Sequence, residues 1–312
     1  MIRLTVQPPI TFDERHPVTI SPEKIAINPL QWIATDDGWI DPTLAPPLPE
    51  RLKVIKESGI DSVHAEVPAD LTTAQYGQLL ADHGLLPAPG YISGPLPMDE
   101  ESLRVHLEKT DRISTQMAEL GLPTVFVATG MNKQAPRVHR PAVGADATPE
   151  RLERVRDVFA RMGETTKANG ITAAFHPHIG TWAETEEETR FILDTVPADV
   201  LSFGPDIGHL GWAGADVIGL IREYGERVAA MHVKDFRADV AERGIAEGWT
   251  YQETVLAGLW AEPGHASVDI PATLAALPES FDGWLVIEVD KGAQPTPEES
   301  VRLCGEWARQ QH

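Results

Sequence analysis

The 312-residue chain has a single cysteine, Cys304, which excludes a disulfide framework and a thiolate metal cluster. No segment reaches the run of about 18 apolar residues that a membrane span needs, and the opening "MIRLTVQPPITFDERHP" does not read as a signal peptide. A reducing cytoplasmic location and no membrane partner are therefore expected. Basic residues are also scarce: 26 Lys and Arg against 47 Asp and Glu give a formal net charge of -21. The acids are spread along the chain, which argues against phosphate backbones and so against a nucleic-acid partner. No glycine-rich helix start offers a phosphate cradle, so the expected substrate is an unphosphorylated small molecule.

What the chain does have is alternation. Eight short apolar or β-branched runs appear: 24 to 30, 62 to 67, 85 to 92, 124 to 130, 172 to 178, 201 to 206, 228 to 235 and 284 to 290. Helical patterns separate them, the clearest at 148 to 170, where Thr148 suits an N-cap, Pro149 the first turn and Gly170 the stop. Eight strand-helix units predict an α/β fold, a single-domain (β/α)8 TIM barrel over residues 23–312; an open doubly wound sheet uses the same units. Two segments fall outside the repeat. Residues 1–22 read as an N-terminal arm or hairpin, and 236 to 267 as a long insertion after the seventh strand, each a candidate lid or subunit contact. A homo-oligomer is expected.

In a barrel, chemistry collects at the C-terminal ends of the strands. Polar residues interrupt the apolar runs there: His64 and Glu66 on the second strand, His176 and His178 on the fifth, Asp206 and then His209 on the sixth. The seventh ends in His232 and Lys234, and the eighth in Glu288 and Asp290. One such histidine is usually a hydrogen-bonded structural residue, and Glu184 in "TWAETEEET" could be a first-turn helix acid. A repeated departure on adjacent strands instead calls for a shared partner that offsets desolvation, and a divalent metal is the simplest. Imidazole and carboxylate donors without thiolates suit manganese, cobalt, zinc or magnesium.

The segments "INPLQW", "TDD", "HPHIGTWAETEEE", "PDIGHL", "HVKD" and "WLVIEVD" resemble the xylose-isomerase-like sugar phosphate isomerase/epimerase superfamily, and within it the inosose dehydratases. The likeness runs from about residue 24 to 311 and includes "VLAGLWAEPGHASVDIPATL", where Ala266 stands in place of that family's second glycine. The resemblance implies a metal-dependent barrel. Many members carry Glu-x-His on the fifth strand, whereas this chain has His176 and His178. It implies Glu184 as the replacement ligand beside Asp206, His232 and Glu288, with His176 as the fallback. Three carboxylates and one imidazole would favour manganese or magnesium over a soft metal, with manganese first. His178, His209 and His176 would then move protons, with Lys234 stabilising developing negative charge.

The expected chemistry is abstraction of a proton beside a ketone, formation of an enediolate, and loss of a β-oxygen substituent. The leading expectation is a lyase of keto-cyclitols or keto-sugars, with dehydration of 2-keto-myo-inositol as the type reaction. Eliminative cleavage of 3-keto-glycosides, as in C-glycoside deglycosidases with their small partner subunit, keeps the chemistry and changes the leaving group. Ketose epimerisation or isomerisation, and a sugar-binding barrel without catalysis, are the remaining readings.

Overall fold

A computed structural model describes residues 20–311. Its strands are β1 (Ile25–Asn28), β2 (Ser62–His64), β3 (Leu86–Ala88), β4 (Tyr91–Ile92), β5 (Thr124–Val127), β6 (Thr172–Phe175), β7 (Ser202–Phe203), β8 (Ala230–Val233), β9 (Asp235–Phe236), β10 (Trp260–Ala261) and β11 (Trp284–Glu288). Parallel pairing gives two arcs, β3-β2-β1-β11-β8 and β4-β5-β6-β7. Parallel bridges Phe203↔Val228 and Asp206↔His232 join the arcs on one side.

On the other side β3 and β4 are halves of one run, the third of the eight expected. Proline and glycine divide it. Pro89 has no N–H to donate, and Gly90 lies so close to the second strand that a Cβ would sit 2.5 Å from the Ala65 carbonyl oxygen. The eight sequence runs thus take the eight places of a TIM barrel, and the strand interiors are buried on both faces, as an all-parallel sheet requires.

The outer helices follow their own sequence signals. Thr148 accepts a hydrogen bond from the Arg151 N–H, and the helix Pro149–Ala168 turns Val155, Val158, Phe159, Met162 and Thr166 inward at helical spacing. Phe159 meets Phe175 of β6 edge to face at 4.8 Å. Each large apolar side chain so buried contributes roughly 1.5–3 kcal/mol. Among the described residues no helix is long and apolar enough to cross a membrane.

The insertion after β8 is folded onto the barrel. Antiparallel β9 and β10 close it at the base, pairing Trp260 with Phe236, and helices Ala238–Glu247 and Tyr251–Leu256 fill it. The apolar groups of "GWTYQETVLAGLW" find their cover here: Tyr251, Val255, Leu259 and Trp260 are buried, with Trp212 packed against both aromatic rings. Asp235 anchors the return, accepting from the N–H groups of Gly264, Ala266 and Val268. Residues 1–19 of the expected N-terminal arm lie outside the described residues.

Candidate active site

Four of the eight sequence-chosen residues meet beneath the C-terminal mouth of the barrel. At the end of β6, His176 Nδ1 lies 3.1 Å from the Gly204 carbonyl oxygen. A carbonyl only accepts, so the proton is on Nδ1 and the Nε2 lone pair is free. Asp206 caps the helix Ile207–Trp212: Oδ1 accepts from the Gly208 and His209 N–H groups, leaving Oδ2 to point inward. His232 Nδ1 lies 3.6 Å from Asp206 Oδ2 and 3.4 Å from Glu288 Oε2, and His176 Nε2 is 3.9 Å from Asp206 Oδ2.

His176 Nε2, Asp206 Oδ2 and His232 Nδ1 are buried and have no hydrogen-bond partner. Leaving one such group unsatisfied costs about 1–3 kcal/mol, so three aimed at one point are a strong departure from ordinary cores. A tetrahedral ion with bonds of about 2.1 Å spaces its ligands about 3.4 Å apart, close to the separations found here. The donor set therefore fits a divalent ion, with His176, Asp206, His232 and Glu288 able to hold it. Charge agrees with geometry. Asp206, Glu288 and Asp290 surround the single ammonium of Lys234, which leaves two negative charges for the ion to offset once His232 gives up its proton to bind it.

The protonation tendencies follow from the same crowding. Burial alone would raise Asp206 and Glu288, but Lys234 and the neighbouring histidines hold both carboxyls well below the usual range. His232 feels burial in the opposite sense, and Glu288 and Asp206 outweigh it, pushing the imidazole up to about 9. His176 is held well below its ordinary value first by burial and then by His232, and His209 first by burial and then by His178 and Lys234.

Glu184, the preferred ligand of the sequence reading, is not brought to this cluster. Its two oxygens accept from the N–H groups of Gly144 and Gly180, and burial raises its carboxyl to about 7. Thr185 and Glu188 form a capping box that fixes the next helix, and Arg137 pairs with Glu188 in a buried salt bridge. That frame holds Glu184 just outside the helix start, away from the strand ends. The fallback, His176, does lie in the cluster, grouped with Asp206 and His232.

The three remaining residues differ in access. His178 lines a cleft of about 500 Å³ together with Asn28, His64, Tyr91 and Glu288. Its Nδ1 is 2.7 Å from the Ile179 carbonyl oxygen, so Nδ1 carries the proton and Nε2 is the basic atom. Burial and then Lys234 lower its pKa, favouring the neutral ring. His209 packs on His178 with ring centroids 3.6 Å apart but is itself buried, and Lys234 is wholly buried behind it. Lys234 therefore faces Glu288, Asp290 and His209 rather than the cleft.

Four contributors escaped the sequence reading. Asn28 of β1 donates to Glu288 Oε2, Tyr91 stands edge-on to His176, and the Tyr251 hydroxyl donates to Asp290. Trp260 places its ring 4.9 Å from the Lys234 ammonium. Asn28 ends β1 within "INPLQW", as the other site residues end their strands, and that position is its one signal in the sequence.

Residues 52–310 match the family of xylose isomerase-like TIM barrels, and the chain belongs to that family. It is 28% identical over 274 residues to the rhizopine catabolism protein MocC of Rhizobium meliloti, covering 86% of this chain and 82% of that one. Inosose dehydratase of Geobacillus kaustophilus is 24% identical over 282 residues, covering 88% and 89%. Among solved structures, the IolI protein with a binding zinc atom shares the fold at a TM-score of 0.67 and 16% identity, over 92% of this chain and 97% of that one.

Proposed function

We propose that the chain is a divalent-metal-dependent lyase acting on a keto-cyclitol or keto-sugar, with His176, Asp206, His232 and Glu288 as the metal ligands. The observation that carries this reading is the convergence of three orphaned buried donor atoms beside a neutral histidine that lines a cleft. The relationship to inosose dehydratase supports the substrate class. Two imidazoles and two carboxylates form a more nitrogen-rich set than three carboxylates would, which brings zinc and cobalt level with manganese and disfavours magnesium.

A bound divalent ion supplies Lewis acidity toward a carbonyl oxygen and an adjacent hydroxyl, which acidifies the neighbouring C–H. His178 Nε2 takes that proton. Its lowered pKa keeps it unprotonated at neutral pH, and the Ile179 carbonyl holds the ring in the tautomer that presents Nε2. Asn28 steadies Glu288 from β1, and Lys234 steadies its other oxygen. The electron pair left on the substrate then either expels the β-hydroxyl group, which takes the proton held at His178 Nε2 and leaves as water, giving dehydration, or recaptures a proton on the opposite face, giving epimerisation. Epimerisation is the second reading: the other imidazole on the cleft, His64, is pushed down to about 4 by burial and His232, a poor acid for a leaving group.

The test is turnover of 2-keto-myo-inositol with zinc, cobalt or manganese, with metal content measured on the same samples. Asp206→Asn and Glu288→Gln should lose metal and activity while remaining folded. Full activity after chelation overturns the metal reading. Deuterium washed into recovered or epimerised ketone, without an unsaturated product, selects the second reading over the first.

A further inference from the structure

Two further groups of ligand-type side chains lie beside the proposed metal position: Asp206, His209 and Glu288, and His178, His209 and Asp290. Between them stands a lysine. The Lys234 ammonium lies 2.7 Å from Glu288 Oε1, 2.7 Å from Asp290 Oδ1, 2.9 Å from His209 Nε2 and 3.5 Å from Asp206 Oδ2. Three carboxylates and an imidazole around one point is a divalent-ion donor set, here closed on a cation the chain carries itself.

Glu288 has the arrangement of a bridge. Its Oε2 faces His232 and its Oε1 faces Lys234, as a carboxylate shared by two cations would. Paired metal ions in enzymes sit about 3.5–4 Å apart and share such ligands. We propose that Lys234 is the permanent second cation of this centre: its ammonium occupies the place of a second divalent ion, so the site takes one metal where its donors could hold two. This rests on the metal reading above and adds the stoichiometry and the reason for it.

Two local features support the assignment. The fold has made room for the lysine stem at Gly208, where a Cβ would come 2.7 Å from Lys234 Cγ and 2.9 Å from its Cβ. The ammonium also fixes a tautomer. Because Nζ can only donate, His209 Nε2 must accept, and the His209 proton is on Nδ1. A metal at the same point would draw on that same lone pair. Lys234 is thus a positioning residue: it holds Glu288, Asp290 and His209 without reaching the cleft.

The experiment counts ions. Full-length parent and Lys234→Ala are stripped, titrated with manganese and measured by native mass spectrometry, with electron paramagnetic resonance as a second readout. One manganese with an uncoupled spectrum is expected in the parent. Two per chain with an exchange-coupled spectrum are expected in Lys234→Ala, and added ethylamine should return the count toward one. A folded Lys234→Ala that binds one ion or none overturns the proposal and leaves the functional reading standing. A parent that binds no ion overturns that reading itself. Should Lys234→Ala fail to fold, Lys234→His, which fills the stem's volume with another ligand, takes the same count: two supports the proposal, and one, none or failure to fold overturns it.

Discussion

Replacing Glu184 by glutamine separates a buried framework acid from a metal ligand. In the parent, burial raises the Glu184 carboxyl from its ordinary 4.5 to about 7, against the partial relief of the Gly180 N–H and Arg137. Between those values the folded protein binds a proton that the unfolded chain has released, so stability is fully present below pH 4.5 and falls as pH rises to 7. At about 1.36 kcal/mol per pH unit, that rise to about 7 corresponds to roughly 3 kcal/mol. Glutamine never ionises, so the decline attributable to this site should vanish. The amide carries one oxygen for two donors, the N–H groups of Gly144 and Gly180, and opposes one of them with its own NH2. That mismatch costs about 1–3 kcal/mol at every pH. Glu184→Gln should therefore be less stable than the parent at pH 5 and nearly equal to it at pH 8. Urea unfolding of metal-free protein across this range measures the difference, and metal analysis at pH 7 should find the full complement. A difference that stays constant with pH refutes the burial argument, and loss of metal from the folded variant refutes the ligand assignment.

His178→Gln should keep its metal and lose about a hundred- to ten-thousand-fold in turnover, the range for removing a general base; metal lost along with rate would make it a ligand. Arg137→Met leaves Glu188 buried without its partner and should cost about 3–5 kcal/mol in urea unfolding, whereas a change below about 1 kcal/mol would mean that water reaches Glu188. Gly208→Ala forces a Cβ against the Lys234 stem and should cost about 1–3 kcal/mol while weakening metal binding; unchanged affinity would show that the lysine can move without consequence.

The barrel was legible because its signals are local. Each strand run lies within a few residues, and the Thr148-to-Gly170 helix announces both ends. The polar strand ends were legible for the same reason, since each breaks an apolar run. Choosing between His176 and Glu184 was a different problem, because the path of the loop after His178 depends on Arg137, 51 residues before its partner Glu188. No window along the chain contains that pairing. Asp235 shows the converse: it sits in "HVKD" next to site residues, yet its carboxylate is occupied by three backbone N–H groups of the returning insertion. The motifs assign His178 and Lys234 different roles but set both at the substrate, since both end barrel strands and only packing decides which one meets the cleft.

The pair of histidines in "HPH" also makes sense as part of a charge balance. A fully buried centre tolerates little uncompensated charge, because each unpaired ion costs several kcal/mol. In the proposed centre, with Asp206, Glu288 and Asp290 on one side and Lys234 on the other, a divalent ion that displaces the His232 proton brings the sum to zero only if the remaining ligand is neutral. His176 is neutral, its pKa held well below the ordinary value by burial and by His232. A glutamate in its place, as the resemblance would put there, would add a fourth carboxylate and leave one negative charge buried. Lys234 and Asp290 cancel each other in this sum, so the ammonium can organise His209 and Glu288 without weakening the pull on the metal. His176→Glu should accordingly retain an ion but destabilise the metal-bound fold as pH rises, because the extra carboxylate must ionise in a centre already neutral. Thermal unfolding of the loaded variant between pH 6 and 9 tests this. A melting temperature that tracks the parent's across that range would mean that solvent or a rearranged loop supplies the missing charge, and the balance described here would not be what selects histidine at this position.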